Sequence, residues 1–296
     1  MIHKTVLLHE SIDGLDIHPG DVYLDGTLGS AGHALYAQEK ANGDLTIIGL
    51  DRDTEALERS KQRLGESTRI ILRESSYGNM DKVLDEIGIS KVNKIMLDLG
   101  LSSDQFETSG RGFTFRNDEP LLMTFKKDLV PEDLTAKQIV NTWQEESIAD
   151  IIYGYGEEKY ARRIAKAIVN YREKKTIDTT GELVEIISQS VPVFYRKGRI
   201  HPATRTFQAL RIAVNDELNT LKKGLETGFE RLEKGGRIAV ISFHSLEDRI
   251  VKNFNKDKNE NGLAIIHTKR PLVPSEEEVR ENPRSRSAKL RILEKK

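Results

Sequence analysis

The sequence predicts an α/β fold, a parallel sheet interrupted by a helical insertion. Three observations carry this. Short apolar, β-branched runs alternate with helix-period segments over the first hundred residues, no comparable strand signal occurs between about residues 110 and 200, and the alternation then returns.

Taken in order, Val22-Tyr-Leu24 is a short apolar run that ends in Asp25 and a glycine loop, and Ala34 to Glu39 reads as a helix start. Leu45-Thr-Ile-Ile-Gly-Leu50 is continuous and β-branched, as expected of a strand buried on both faces. Residues 56, 57, 60 and 64 are apolar or small at helical spacing, which places a helix over Asp53 to Leu64. Ile70-Ile-Leu72, a helix from about Met80 to Ile87, and Lys94-Ile-Met-Leu97 continue the pattern.

After Gln105 the character changes. Ser109 to Pro120 is loop-like, and Thr135-x-x-Gln138 and Thr179-x-x-Glu182 are capping-box signatures. Tyr160, Ile164, Ile168 and Tyr171 share one helical face. The α/β pattern resumes with a helix from about Thr204 to Leu232, the turn Glu233-Lys-Gly-Gly236 and the strand Arg237 to Phe243. Ser245-x-x-Asp248 then caps a helix, and Ala288 to Leu293 is the last strand. The expected domains are therefore 1–108, an insertion over 109–203, and 204–296 as the second part of the first domain.

Composition narrows the function classes. With 37% hydrophobic and 31% charged residues the chain is of globular type, neither disordered nor fibrous. No run approaches the roughly 18 apolar residues that cross a bilayer, and the first residues lack a signal-peptide pattern, so a cytoplasmic protein without a membrane partner is expected. Absence of cysteine removes disulfides, thiolate metal sites and cysteine nucleophiles. The net charge of -1 announces no polyanionic partner, but its distribution is uneven. Glu158 to Arg211 holds twelve Lys/Arg against five Asp/Glu, and His267 to Lys296 nine against five, compatible with a nucleic-acid substrate or with solvated helix faces.

The chemistry-bearing residues fall at predicted strand ends. Asp25-Gly-Thr-Leu-Gly-Ser-Ala-Gly-His33 joins the first strand to the first helix, where open α/β sheets bind ligands. Its GxxGxxG spacing differs from the GxGxxG of a pyrophosphate cradle, which disfavours NAD or FAD. Asp51 ends the second strand about 20 residues on, where an acid accepts hydrogen bonds from ribose hydroxyls. Asp53 is expected to cap the following helix. Asp98 ends another strand; it either binds a cationic group of the cofactor or the nucleophile's amino group, or caps a local turn. His244 borders the same crevice, as a substrate contact or as a structural histidine. The histidines show no metal-ligand spacing, so no catalytic metal is expected.

Three long blocks resemble the RsmH (MraW) family: His201 to Leu218, Ile241 to Lys252 and Asn282 to Arg291, with His3-Lys-Thr-Val-Leu-Leu-His-Glu10 at the start of the chain. The resemblance covers nearly all of the sequence. It implies a Rossmann-like class I methyltransferase domain interrupted by a helical insertion that recognises substrate. It also implies S-adenosylmethionine-dependent methylation of N4 of a cytidine, usually numbered 1402, in the decoding region of bacterial 16S rRNA. The partner is then the small ribosomal subunit, and a homodimer is compatible with the family. Matched by motif, cofactor contacts fall on Ala31, Gly32, His33, Asp51, Tyr77, Asp98 and Gln105, with Asp98 also the catalytic candidate. Arg199, His201, Arg205 and Arg211, the tail residues Arg284 and Arg286, and His244 are the substrate-binding candidates.

Three departures from the family pattern stand out. Ala31 occupies a position that is often glycine, and Tyr77 one that is usually phenylalanine. Leu122 and Thr124 replace an acid and a base together, within Asp118-Glu-Pro-Leu-Leu-Met-Thr-Phe125. Two rival readings stay open at this stage: a nicotinamide-dependent oxidoreductase on the same fold class, and a non-catalytic ribosome-assembly factor.

Overall fold

The computed structural model describes residues 4–100 and 109–296. The chain divides into two compact units, Met1–Gly100 with Leu218–Lys296, and Leu101–Glu217.

The first unit is built on a seven-stranded sheet of order β3-β2-β1-β4-β5-β7-β6. Its strands are β1 (Val22–Asp25), β2 (Thr46–Asp51), β3 (Ile70–Glu74), β4 (Val92–Asp98), β5 (Leu232–Ser242), β6 (Ala264–Ile266) and β7 (Lys289–Lys295). The first five run parallel, whereas β7 is antiparallel to β5 and β6 antiparallel to β7. Its helices before the insertion are α1 (Leu8–Leu15), α2 (Gly32–Lys40), α3 (Thr54–Leu64) and α4 (Met80–Glu86).

Successive side chains on a strand point to opposite faces, and the core divides accordingly. Tyr23, Ile47, Met96, Ala239 and Ile241 pack with α1 and α2 through Leu15 and Ala34. Their neighbours Leu24, Ile48, Ile95, Leu97, Ile238 and Val240 pack with Leu84, Leu225 and Val251 on the other face. Both faces are covered, which is why these strands read as continuous apolar runs. Strand order reverses between β1 and β4, and the carboxyl ends of those strands define the ligand crevice of such sheets.

The second unit is helical: α5 (Ala136–Thr142), α6 (Glu145–Gly156), α7 (Ala161–Arg172), α8 (Thr180–Ser190), α9 (Val193–Arg196) and α10 (Thr204–Asn215). Its core joins Ile139, Ile152, Ile164, Ile168, Leu183 and Leu210. Both expected capping boxes form, at Thr135/Gln138 and Thr179/Glu182. The helix expected from Thr204 to Leu232 is two helices. Asp216 adopts a left-handed φ of 49° and separates α10 from α11 (Glu217–Arg231). The division at 203/204 therefore moves. Phe207 and Leu210 of α10 are buried in the helical core, so this helix belongs to the second unit, and the first unit resumes at Leu218.

The remaining helices of the first unit are α12 (Ser245–Glu260) and α13 (Glu276–Glu281). The cap of α12 differs from expectation. His244, not Ser245, is the N-cap residue, with Glu247 completing a reciprocal capping box. Among the described residues no helix is long and apolar enough to cross a membrane.

Candidate active site

The site is assembled where β1, β2 and β4 end. The loop after β1 is tied to β4 at two points: Gly26 N–H donates to the Met96 carbonyl (2.9 Å), and the Asp98 N–H donates to Thr27 Oγ1 (2.6 Å). Gly26 is required by close approach, because a Cβ there would lie 2.5 Å from Leu97 Cδ2 and 2.7 Å from Tyr77 Cβ. Tyr77 sits in a 3-10 turn, Tyr77–Asn79, just after β3. One small residue thus lets the β1 loop, the end of β4 and an aromatic ring converge.

Asp51 fixes the far side of the loop. Its Oδ2 accepts from Gly29 N–H (2.8 Å), and its Oδ1 from Asp53 N–H (2.9 Å). Burial raises its pKa while these amides pull it down. Each oxygen has a further lone pair for a ligand hydroxyl. Asp53 caps α3 by accepting from Glu55 N–H (3.0 Å), as expected.

Two more carboxyls lie deeper. Asp25 accepts from Thr27 N–H (3.1 Å) and from Tyr23 O–H (3.1 Å), and burial pushes its pKa up to about 7. Asp98 is also buried, and its Oδ1 has no hydrogen-bond partner among the described residues. Its pKa is raised well above the usual carboxylate range, by burial first and then by the charges of Asp25 and Glu247. A buried acceptor left unpaired costs on the order of 1–3 kcal/mol. Such an atom is suited to a ligand that brings an N–H donor or positive charge.

Ala31, Gly32 and His33 open α2. Ala31 is the N-cap residue with φ of 60°, a left-handed conformation that glycine adopts at lower cost. The change from the family's frequent glycine thus reaches beyond its contacts to the backbone itself. A Cβ on Gly32 would overlap Thr5 Oγ1 at 1.9 Å. The buried His33 ring is within 3.2 Å of the Val6 carbonyl through Nε2, so its side chain ties the loop to the N-terminal segment.

The structure therefore brings Ala31, Gly32, His33, Asp51, Tyr77 and Asp98 together, while Gln105 lies outside the described residues. Asp25, Thr27 and Glu247 were not singled out as site residues. Asp25 was visible as the acid opening the glycine loop, but its burial beside Asp98 is a property of the folded sheet.

The substrate candidates fare differently. His244 serves as a cap: its Nδ1 accepts from Glu247 N–H (3.4 Å), and its Nε2 lies 3.2 Å from Glu247 Oε1. Arg284 and Arg286 are exposed on the 3-10 turn Pro283–Ser287. In the helical unit, Arg211 forms a bidentate ion pair with Glu217 at 2.8 and 2.9 Å. Arg205 donates to the Glu157 carbonyl (2.8 Å), and His201 stacks on Phe115 with ring centroids 4.6 Å apart. Arg199 is exposed. At the third departure, Thr124 is buried and accepts from Lys126 N–H (3.3 Å), and Leu122 is half-buried.

Comparison with known proteins places the sequence in one family. The model of the MraW methylase family matches residues 1–296. A ribosomal RNA small subunit methyltransferase H of Lachnospira eligens is 43% identical over 309 residues, covering 99% of this chain and 97% of that protein. A protein of the same name from a Sulfurihydrogenibium species is 47% identical over 291 residues, with 98% of each covered. Among solved structures, an rRNA methylase from Streptococcus thermophilus superposes with a TM-score of 0.47 at 12% identity, covering 100% of this chain and 98% of that one.

Proposed function

The chain belongs to the MraW methylase family, and we propose that it transfers a methyl group from S-adenosylmethionine to N4 of a cytidine in small-subunit ribosomal RNA, the one usually numbered 1402. The observation that carries this reading is the strand-end set Asp25, Asp51 and Asp98 around the glycine loop, with Asp98 Oδ1 buried and unpartnered among the described residues. Membership of a methylase family removes the nicotinamide reading, with which the strand-end Asp51 alone would have been compatible.

The residues present fit the methyl donor. Asp51 has lone pairs for ribose hydroxyls, and the Tyr77 ring offers a face for adenine. The N-terminus of α2 at Gly32 favours a carboxylate through its dipole and first-turn amides. When bound, S-adenosylmethionine supplies an electrophilic methyl on sulfur.

The chain's own task is to present a weak nucleophile. The cytosine exocyclic amine has its lone pair delocalised into the ring, so alignment and acceptance of its protons dominate catalysis. Asp98 Oδ1 is the acceptor for such an N–H, from the target amine or from the donor's ammonium group. A cation or donor there offsets the burial, and after it the repulsion from Asp25 and Glu247, that raise the Asp98 pKa. Absence of cysteine is consistent with direct transfer without a covalent adduct. The target base must leave its stack to reach a strand-end site.

The test is methyl transfer to unmodified small subunits, with mass mapping of the product nucleoside. N4-methylcytidine at one position, lost in Asp51→Ala, is the expected outcome. Methylation at carbon 5 or at a ribose oxygen refutes the N4 assignment. No transfer by the unaltered chain supports an assembly factor instead.

A further inference from the structure

Residues 186–215 of the helical unit contain no aspartate or glutamate and carry five Lys/Arg, the longest one-sided charge arrangement in that unit's basic half. The short helix α9 lies in this stretch. It is held from beneath: Tyr195 O–H donates to Glu158, which is fully buried, and the Tyr195 ring meets Tyr160 edge-on at 4.9 Å. The return of the chain is held as well, by the His201–Phe115 stack and by Ala203 N–H donating to His201 Nδ1 (3.3 Å).

Between these anchors the outward residues are apolar and cationic. Phe194 is 69% exposed, Val193 59% and Ile200 53%. Arg196, Lys197 and Arg199 are exposed among them; Arg196 donates its Nε–H to the Val191 carbonyl (3.3 Å), and none of the three makes an ion pair among the described residues. Isolated exposed apolar residues need no explanation. A phenylalanine ring 69% exposed, within five residues of three cations that make no ion pair among the described residues, is a different case. Protein-interface cores are depleted of charge, whereas sites for single-stranded nucleic acid pair aromatic rings with cations that follow the phosphates.

We propose that this face, Phe194 with Arg196, Lys197 and Arg199, is a stacking platform for single-stranded RNA flanking the methylated nucleotide. It rests on the RNA-methyltransferase reading above. The Phe194 ring takes the face of one unpaired base, and the cations neutralise neighbouring phosphates. The platform also revises which basic residues meet RNA. Arg211 is engaged in an ion pair with Glu217, so its phosphate contact shifts to the preceding loop.

The experiment is fluorescence anisotropy of the full chain with a short, labelled single-stranded oligoribonucleotide, across a salt series. Phe194→Ala weakens binding by about tenfold, in line with the loss of one stacked base. Phe194→Leu, which keeps apolar bulk without a π face, weakens it equally. Lys197→Gln with Arg199→Gln lowers the slope of log affinity against log salt by about 1.4. Tyr153→Ala, an equally exposed ring (69%) outside the acid-free stretch, changes nothing. Unaltered circular dichroism and S-adenosylmethionine affinity show that each variant is folded.

Wild-type affinity in Phe194→Ala or Phe194→Leu overturns the proposal, as does an equal loss in Tyr153→Ala. Phe194-dependent binding of anionic phospholipid vesicles, with RNA binding independent of it, overturns it too. Parallel methyl transfer to small subunits separates the two readings. If the unaltered chain transfers no methyl, the function fails; if it does, and Phe194→Ala keeps its subunit KM and oligonucleotide affinity, only the platform fails.

Discussion

Replacing Asp25 by asparagine should stabilise the protein increasingly as pH rises. Asp25 is fully buried at the end of β1, and its pKa moves from 3.8 to about 7, with burial as the largest cause. The folded state therefore holds a proton that the unfolded chain has released between those values, so stability falls as pH rises through that window. The full shift is about 3 pKa units, or ~4 kcal/mol at 1.36 kcal/mol per unit. At pH 5 only ~1.7 kcal/mol of this cost is present, and at pH 8 it is nearly complete. Asparagine has no charge to bury; its Oδ1 still accepts from Thr27 N–H, while its amide NH2 donates to the Tyr23 hydroxyl oxygen in a reversal of the parent bond, and neither change depends on pH. The advantage of Asp25→Asn over the parent should thus grow by about 2–3 kcal/mol from pH 5 to pH 8. Urea denaturation of both proteins at intervals across this range measures it. A difference between the two that stays constant with pH refutes the argument, because Asp25 would then carry no buried charge above pH 7.

Gly26→Ala forces the Tyr77 Cβ and Leu97 apart from a contact of 2.5–2.7 Å. Overpacking of this kind costs about 1–3 kcal/mol, and displacement of Tyr77 should weaken S-adenosylmethionine binding in parallel, read by calorimetric titration and thermal melting. Parent-like values for both would show that the approach is not tight. Arg211→Ala leaves Glu217, 8% exposed, without its bidentate partner, at a cost near 3 kcal/mol, the low end for a broken buried pair because Arg211 is partly solvated. Chemical denaturation should show that loss while the salt dependence of RNA affinity stays unchanged. A reduced salt slope would instead return Arg211 to the phosphate contacts.

Much of the architecture is local and was legible in the chain. β2 and β4 read as strands because both faces are covered, and the boxes at Thr135 and Thr179 are fixed by three-residue spacings that act within one turn. Asp51 and Asp98 could be placed at strand ends because strand length and the loop glycines are sequence properties. What depended on distant packing was not legible. Whether α10 belongs to the first or second unit is decided by what Phe207 and Leu210 bury against, residues some fifty positions away in α6. Nothing within β7 states that it runs antiparallel to both β5 and β6, its neighbours in the sheet, since direction is set by the connection and not by the residues. The cap of α12 moved from Ser245 to His244 because β5 ends one residue earlier than its apolar run, at Ser242.

The site divides in the same way. The sequence by itself determined a nucleoside-binding crevice, through a glycine loop followed by strand-end acids, and it determined the family through long ordered blocks. Only the tertiary structure decided the protonation of those acids. Asp25 and Asp98 are separated by more than seventy residues, and burial together with the charge of Asp25 raises the Asp98 pKa because β1 and β4 are neighbours in the sheet, in a medium too apolar to screen them. It also decided which cations remain available: Arg211 is consumed by Glu217, while Lys197 and Arg199 are left beside an exposed ring. Charge and burial depend on what surrounds a residue in space, and that is fixed only when the chain has folded.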